Sequence, residues 1–275
     1  MSLTENLTGA ETFLFVSGAQ PERYRKAAVS GADVVIIDLE DAVPQNQKQE
    51  ARLGAASFLA ESRALVRINA VGTPHINDDA AVLADSEGLI GIMLPKAECL
   101  DDVEAAAAFF PGVPVVALIE SARGLASARE IAEHPAVVRL AFGNLDFAAD
   151  LGITPGAEEE ELFYAFSHLV LASRLAGKTA PIAGVTPNFR DPHVAAGDAR
   201  RQRAFGFGGK LLIHPAQIQP TVESFAPTSA ELEWASRVIA ASAAADGGAV
   251  QLEGAMVDRP VLLRAERIAS RGTAI

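Results

Sequence analysis

Short apolar runs alternate with amphipathic segments along most of the chain. Runs of about four to eight residues rich in Val, Ile and Leu are typical of parallel strands buried on both faces, and the segments between them have helical length and spacing. The sequence therefore predicts eight successive strand–helix units. The predicted strands cover residues 12–17, 33–38, 65–69, 89–94, 114–119, 138–142, 181–185 and 210–213.

This order predicts an α/β fold, a (β/α)8 TIM barrel with a C-terminal helical extension. Such a barrel typically takes about 250 residues, and the chain has 275. An open, doubly wound sheet is the alternative, but no Gly-x-Gly-x-x-Gly motif follows the first predicted strand. We expect residues 1–225 to form the catalytic barrel and residues 226–275 an extension that packs on, or completes, the site of a neighbouring subunit.

Some connections lack a regular pattern. A long loop is expected at 70–79, which contains Gly72 and Pro74, and a single helix is expected at 121–133. In the extension, a helix at 229–245 is followed by a break at Asp246-Gly247-Gly248 and an irregular segment at 251–260, before a final helix.

Charged residues stand at the C-terminal ends of four predicted strands. In parallel α/β folds these ends meet at one face, where active sites lie. A charge in that position contributes nothing to packing, and several together indicate one site for a cation and an anionic substrate. The residues are Asp38, Glu40 and Asp41 with the second strand, Arg67 in the third, Glu120 after the fifth and Asp146 after the sixth.

Glu120 and Asp146 are the candidate metal ligands. Two carboxylates that approach each other repel unless a cation lies between them. Mg²⁺ binds oxygen ligands, takes one or two carboxylates and keeps positions for water and substrate. The alternative is that each residue caps the N-terminus of the helix that follows it.

Arg67 lies within an apolar strand and must therefore be paired. Its guanidinium could hold a substrate carboxylate through two parallel hydrogen bonds, or it could form a structural ion pair with Asp38 or Glu40. We expect at least one residue of the 38–41 group to orient Arg67 or a metal-bound water. Lys96, after the fourth strand, could pair with this acidic group or form a solvent-facing salt bridge.

The net charge of −12 argues against binding to nucleic acid or to an anionic membrane surface. A local cluster, Arg23, Arg25 and Lys26, could still meet an anionic substrate. Cys99 is the only cysteine, which excludes an intramolecular disulfide and fits a reducing compartment. No apolar stretch reaches the roughly 18 residues of a membrane-spanning helix, and residues 1–11 lack a signal-peptide pattern. We therefore expect a cytoplasmic protein.

The histidines do not indicate a metal site. His75, His134, His168 and His193 lack the spacing of zinc ligands. His214, after the eighth strand, is interpreted as a hydrogen-bonded wall residue rather than a catalytic base.

Eight longer motifs span nearly the whole chain. They are LFVSGAQPERYRKA (14–27), ADVVIIDLEDAV (32–43), VRIN (66–69), IMLPKAE (92–98), ALIESARGL (117–125), FGNLDFAADLG (142–152), GFGGKLLIHPAQI (206–218) and EGAMVDRPVL (253–262). In this order they resemble the HpcH/HpaI aldolase–citrate lyase family, in its citrate lyase β-subunit-like branch. Three positions depart from the family pattern: Glu11-Thr12 stand where an Arg is frequent, Ser17 replaces Pro, and Ala183 replaces Asp.

The resemblance implies a Mg²⁺-dependent barrel, in which Mn²⁺ can replace Mg²⁺, that acts on a coenzyme A thioester. The reaction would cleave or form a 3-hydroxyacyl-CoA by a retro-Claisen mechanism, with acetyl-CoA and a 2-oxo acid as products. The resemblance also implies a homo-oligomer, either a trimer or a hexamer, whose partners are these small molecules and neither nucleic acid nor membrane.

The family's functional residues map onto positions of this chain. The metal ligands fall on Glu120 and Asp146, and the substrate-clamping arginine falls on Arg67, so that Arg67 and Glu120 together form the substrate-binding set. The acid of the MVD motif is Asp258, a catalytic residue that related malyl-CoA lyases receive from the neighbouring subunit. The segment that meets the coenzyme A phosphates in relatives contains Arg23 and Lys26. The charged residues that would support this site are Asp38, Glu40, Asp41 and Lys96.

Three other functions are alternatives. The chain could be a lyase subunit that acts on an acyl carrier protein within a citrate lyase complex, or a metal-dependent 2-oxo acid aldolase. The aldolase branch has a catalytic His near the second strand, where this chain has DLEDAV. A non-catalytic binder of small molecules would not need an acid such as Asp258.

Overall fold

The eight apolar runs form eight parallel strands that close into a barrel, which confirms the predicted TIM-barrel architecture. The computed structural model describes residues 3–244 and 249–272. The strands are β1 (Thr12–Ser17), β2 (Val34–Asp38), β3 (Ala64–Arg67), β4 (Leu89–Leu94), β5 (Val115–Ile119), β6 (Val137–Phe142), β7 (Ile182–Ala183) and β8 (Gly209–Leu212). Neighbouring strands pair in chain order, and β1 also pairs with β8, which completes the closure.

Helices precede the first strand, connect the successive strands and follow the last one. They are α1 (Leu3–Gly9), α2 (Tyr24–Ala28), α3 (Lys48–Leu59), α4 (His75–Leu83), α5 (Leu100–Phe109), α6 (Ala122–Ala126), α7 (Ala128–Glu133), α8 (Asn144–Leu151), α9 (Phe163–Leu175), α10 (Pro192–Phe205) and α11 (Ile218–Phe225). Short 3-10 turns occur at Pro21–Arg23, Gln45–Gln47, Glu160–Leu162 and Pro215–Gln217. Within the described ranges, no helix combines the length and the apolar character needed to span a membrane.

Each barrel strand buries both of its faces, which explains the continuous apolar runs. Phe13 and Leu211 belong to a cluster that fills the barrel interior. The residues that follow them, Leu14 and Leu212, belong to a larger cluster between the strands and the surrounding helices. The alternation along each strand thus supplies two separate cores.

Helix α1 was not predicted, because its packing depends on residues far away in the chain. Leu7 of α1 joins the interior cluster. The fully buried Arg139 of β6 donates hydrogen bonds from Nη1 to the carbonyls of Leu7 (3.0 Å) and Ala10 (2.7 Å). A cation at the C-terminal end of a helix also interacts favourably with the helix dipole.

The predicted loop at 70–79 is wrong in its second half, because α4 begins at His75 directly after Pro74. Asp79 of α4 is fully buried, and its Oδ1 accepts a hydrogen bond from Arg52 Nε at 2.6 Å. The pairing of α4 with α3 through these two charges could not be predicted from local pattern. The single helix expected at 121–133 is also wrong, because it divides into α6 and α7 at Ser127.

The chain divides into two compact units, Met1–Val222 and Glu223–Ile275. The second contains α12 (Ser229–Ala244), β9 (Val250–Leu252), β10 (Ala255–Val257) and α13 (Arg259–Gly272). Its core consists of Ala235, Val238, Val257 and Ala265. The break predicted at Asp246-Gly247-Gly248 lies outside the described residues.

The irregular segment predicted at 251–260 is wrong, since β9 and β10 form an antiparallel hairpin with Leu252 opposite Ala255. Its two turn residues, Glu253 and Gly254, have φ angles of 52° and 85°. A two-residue hairpin turn of this kind favours Asn-Gly or Asp-Gly. Because glutamate occupies the first position here, the sequence does not indicate the turn.

We predict that removing one partner of the buried Arg52–Asp79 pair destabilises the protein far more than removing one partner of an exposed pair. Arg52→Leu should lower the free energy of unfolding by about 3–5 kcal/mol, because it leaves the Asp79 carboxylate buried without its partner. Arg25→Leu is the matched control, since Arg25 pairs with Glu61 at 2.9 Å on the surface, and it should cost about 0–1 kcal/mol. Urea unfolding of both variants measures the difference, and equal losses would contradict the prediction.

Candidate functional site

A cavity of about 290 Å³ opens among residues at the C-terminal ends of the barrel strands. Parallel strands place their C-terminal ends on one face, so residues from distant parts of the sequence meet there. The charged residues that line it are Asp38, Asp41, Arg67, Glu120 and Asp146. The cavity thus brings together both predicted metal ligands, the predicted clamp and two members of the 38–41 group. Its apolar wall includes Phe15, Leu118, Phe142, Val185, Leu211 and Ile213.

Arg67 forms a bidentate ion pair with Asp38. The register of β2 and β3 places these two residues side by side. Arg67 Nε donates to Asp38 Oδ1 and Nη2 donates to Oδ2, both at 2.7 Å. Arg67 Nη1 also lies 2.9 Å from Glu40 Oε2. Both structural ion pairs that the sequence left open are therefore present.

Arg67 remains charged in this setting. Burial lowers the pKa of its guanidinium, but the hydrogen bonds and the negative charge of Asp38 outweigh burial and raise the pKa above its usual value. The ring of Phe15 lies 5.2 Å from the guanidinium carbon. Asp38 accepts one N–H from Nε and one from Nη2, and Glu40 pairs with Nη1. Each terminal nitrogen therefore keeps a second N–H for other contacts.

Lys96 connects the acidic group to Glu120. Its Nζ forms an ion pair with Glu40 and lies 3.6 Å from Asp41, while its backbone N–H donates to Glu120 Oε1 at 2.8 Å. Burial opposes the charge of Lys96, but the contact with Glu40 outweighs it and raises the lysine pKa. The residue adopts a left-handed backbone with φ of 50°. Strain of this type is concentrated at functional sites.

Glu120 is almost completely buried, and burial together with the negative charges of Glu40 and Asp146 raises its pKa to about 7. The N–H of Lys96 and the charge of Arg67 oppose this rise. A Cβ atom at Gly143 would lie 2.6 Å from Glu120 Oε2. Only glycine therefore leaves room for the carboxylate, and this constraint was not found from the sequence.

Asp146 lies in the first turn of α8 rather than at the end of a strand. The start of α8 is fastened to β7 by Asn144, whose Oδ1 accepts the N–H of Val185 (2.9 Å) and whose Nδ2 donates to the carbonyl of Val185 (3.1 Å). A Cβ atom at Gly184 would lie 2.2 Å from Asn144 Oδ1. The position of Asp146 therefore depends on two neighbours that the sequence analysis did not single out.

The donor set fits an ion that needs few protein ligands. No group of three or more His, Cys, Asp or Glu residues that could hold a metal occurs in the parts of the chain that the structure describes. Glu120 and Asp146 instead line the same cavity. Burial is the main cause of the raised pKa of Glu120, and the negative charges of Glu40 and Asp146, which a cation would offset, add to it. Mg²⁺ binds in this manner, with one or two carboxylates and with substrate oxygens and water in the other positions.

A buried lysine that the sequence does not single out holds the backbone of the loop after β2, which carries Glu40 and Asp41. Lys48 Nζ donates to the carbonyls of Leu39 (2.6 Å) and Glu40 (2.7 Å) and to Asn69 Oδ1 (2.7 Å). Burial lowers the pKa of Lys48. Asn69 Nδ2 in turn donates to Asp79. Nothing in the polar segment around Lys48 indicates that this lysine is buried.

The remaining predicted residues lie outside the cavity lining. Arg23 is exposed, with Nε 4.0 Å from Glu22, and Lys26 is exposed on α2. Asp258 belongs to the second unit, where it precedes α13 and its Oδ1 accepts the N–H of Val261 at 3.3 Å. This contact is that of a helix-capping residue.

Known proteins resemble this chain over almost its full length. A citrate lyase subunit beta-like protein from Deinococcus radiodurans is 37% identical, covering 94% of this chain and 95% of that protein. A (3S)-malyl-CoA thioesterase from Cereibacter sphaeroides is 35% identical, covering 94% and 95%. The structure of CitE from Mycobacterium tuberculosis in complex with magnesium, acetoacetate and coenzyme A superposes with a TM-score of 0.88 at 35% identity, covering 98% of this chain and 99% of that one.

The family model described as HpcH/HpaI aldolase/citrate lyase matches residues 11–215, the segment that contains all eight barrel strands and the charged cavity. Proteins of this family are enzymes, and both lyases and thioesterases occur among the similar proteins. The resemblance inferred from the motifs is confirmed: this chain belongs to the HpcH/HpaI aldolase/citrate lyase family.

Proposed function

We propose that this protein is a Mg²⁺-dependent carbon–carbon lyase that cleaves or forms a 3-hydroxyacyl-CoA thioester, with acetyl-CoA and a 2-oxo acid as the other side of the reaction. The observation that carries this proposal is the meeting of Arg67, Glu120 and Asp146 in one cavity. The CitE structures from Mycobacterium tuberculosis, which contain magnesium with acetoacetate and coenzyme A or with pyruvate, support it.

Glu120 and Asp146 would hold Mg²⁺. When bound, this ion supplies a Lewis acid that polarises the oxygens of the substrate and orients them. Lys96 holds Oε1 of Glu120 through its backbone N–H, and Gly143 leaves space for Oε2. These neighbours fix the direction of the carboxylate. Mn²⁺, which prefers similar ligands, could occupy the same position.

Arg67 would stabilise negative charge on the substrate. In the cleavage direction the hydroxyl proton would pass to a carboxylate of the 38–41 group or to a water molecule. The C–O bond then becomes the carbonyl of the 2-oxo acid as the C–C bond breaks, and the electron pair of that bond moves onto the thioester as an enolate. A fixed donor aimed at such a charge is typically worth about 10²–10³ in rate. Asp38 and Glu40 hold the guanidinium in place, so its free N–H groups need no rearrangement as the charge develops.

Asp258 would return a proton to the carbon of the enolate and so complete acetyl-CoA. Acid–base assistance of this kind typically contributes about 10²–10⁴ in rate. The role of Asp258 is assigned from its position in the MVD motif. We propose that a neighbouring subunit supplies this residue within a homo-oligomer, a trimer or a hexamer. Arg23 and Lys26, both exposed, would contact the phosphates of coenzyme A.

Hydrolysis of the thioester is a second candidate function, because relatives named (3S)-malyl-CoA thioesterase are up to 35% identical to this chain. The products distinguish the two activities, since a lyase converts malyl-CoA into acetyl-CoA and glyoxylate whereas a thioesterase consumes water and releases malate and free coenzyme A.

We predict that mass spectrometry of the reaction with malyl-CoA and Mg²⁺ will find acetyl-CoA in equal amount to glyoxylate. The reverse reaction should give condensed thioesters when acetyl-CoA is incubated with glyoxylate, pyruvate or oxaloacetate in turn. Malate and free coenzyme A as the only products would instead favour the thioesterase. Turnover of a citryl thioester on an acyl carrier protein, without turnover of any CoA ester, would favour the citrate lyase subunit.

We predict that Asp146→Asn abolishes Mg²⁺ binding and activity while the protein stays folded. The variant keeps the size of the side chain but removes the charge that would hold the cation. Asp150→Asn is the matched control on the same helix, because Asp150 Oδ2 accepts the N–H of Ala122 at an exposed position. Calorimetric titration with Mg²⁺ and turnover with malyl-CoA measure the effect. Activity of Asp146→Asn in the presence of EDTA would refute the metal site.

Mixed oligomers test whether Asp258 acts across a subunit interface. Asp258→Asn alone should bind the thioester and lose cleavage. Dissociating and reassembling it with Asp146→Asn should give activity above that of either variant, since some sites would then combine an intact Asp146 with an intact Asp258 from the neighbour. A mixture no more active than its parents would show that both residues must come from one chain.

A further inference from the structure

Side chains, more than strand pairing, hold the segment that follows β7. Strand β7 has only two residues, and it pairs with β6 at one position and with β8 at two. Its continuation, 184–186, contacts the start of α8, where Asn144 accepts the N–H of Val185 and donates to the carbonyl of the same residue. The placement of Asp146, two residues further along α8, therefore depends on what fixes this segment.

A fully buried lysine holds the first residue of the segment. Lys210 of β8 donates from Nζ to the carbonyl of Gly184 and to Gln202 Oε1, both at 2.7 Å. Gln202, on α10, is fully buried as well. Burial lowers the pKa of Lys210 to about 8, and both of its acceptors are uncharged. Because burying a charge is costly where an apolar side chain would pack without that cost, packing does not explain a lysine at this position.

Two further side chains hold the other end of the segment. Thr186 Oγ1 donates to Asp198 Oδ2 at 2.6 Å, and the carbonyl of Thr186 accepts from Gln217 Nε2 at 2.8 Å. Asp198 and Gln217 are both buried. With Lys210 at one end and these two residues at the other, the backbone of Val185 is presented to α8 in one fixed position.

We propose that Lys210 is a positioning residue for the candidate metal ligand Asp146. By holding the carbonyl of Gly184, Lys210 fixes the backbone of Val185. Val185 in turn fixes Asn144 and, with it, the first turn of α8. This inference rests on the proposed function. Residues that orient a metal ligand typically contribute about 10–100-fold to metal affinity, and the chain of contacts from Lys210 is longer than usual, so the effect belongs at the lower end of that range.

Calorimetric titration with Mg²⁺, with folding checked by circular dichroism, tests this role. Lys210→Met removes the donor while keeping a long side chain, and it should weaken Mg²⁺ binding about 10-fold. Gln202→Met removes the acceptor that directs Nζ, and it should weaken binding in the same direction by a smaller factor. This second variant supplies the measurement if Lys210→Met does not fold.

Arg139→Met is the matched control. Arg139 is also a fully buried cation of a barrel strand that donates to backbone carbonyls, but its acceptors, Leu7 and Ala10, precede β1 at the N-terminal end of the barrel. This variant should lose stability and still bind Mg²⁺ as tightly as the wild type does.

A double-variant cycle tests the route of the effect. Asn144→Ala should itself weaken Mg²⁺ binding, and adding Lys210→Met should weaken it no further, because both changes release the same turn of α8. Losses that add would show that Lys210 does not act through Asn144, and they would overturn the proposed route.

The outcomes separate this role from the proposed function. If the wild type binds Mg²⁺ and the Lys210 and Gln202 variants that fold bind it as tightly, the positioning role is refuted while the metal site stands. An equal loss of affinity in Arg139→Met would refute it too, since general softening of the barrel would then explain the effect. If the wild type does not bind Mg²⁺, the metal site fails, and the positioning role fails with it.

Discussion

Four charged side chains share a small volume at the mouth of the barrel: Asp38, Glu40 and Arg67 lie largely out of contact with water, and the half-exposed Lys96 pairs with Glu40 from the edge of the group. Arg67 contacts Asp38 and Glu40, and Lys96 contacts Glu40. A buried ion costs several kcal/mol unless it is paired with good geometry. These contacts fasten the ends of β2, β3 and β4 together, so the ion cluster sets the shape of the site as well as its charge.

The same cluster determines what the rest of the site requires. Both cations are engaged with Asp38 and Glu40, whereas Glu120 and Asp146 add further negative charge to the cavity. Burial and that charge raise the pKa of Glu120 to about 7. A site with this balance favours either a proton or a metal cation, and the cavity volume of about 290 Å³ leaves space for a small acid beside a cation.

The sequence predicts the barrel because both faces of each strand are buried, and buried strands leave long apolar runs. It also predicts which charges meet, since a charge at the end of such a run has no packing role. It does not predict Lys48, Asp79 or Gly143, whose roles arise from contacts between segments. A lysine in a polar helix resembles a surface residue, and its burial depends on carbonyls from another loop. The sequence also does not predict the hairpin at Glu253-Gly254, because glutamate is an atypical first residue for this type of turn.

Different parts of the barrel mouth carry different kinds of side chain. The ends of β2 to β6 carry the ion cluster and the two carboxylates that would hold a cation, whereas the loops after β7, β8 and β1 carry Phe189, His214 and Arg23. Such a division would allow an acidic protein to bind an anionic ligand, because exposed charges more than about 10 Å apart are largely screened from each other at ordinary ionic strength. Local contacts, rather than the net charge of −12, then decide affinity.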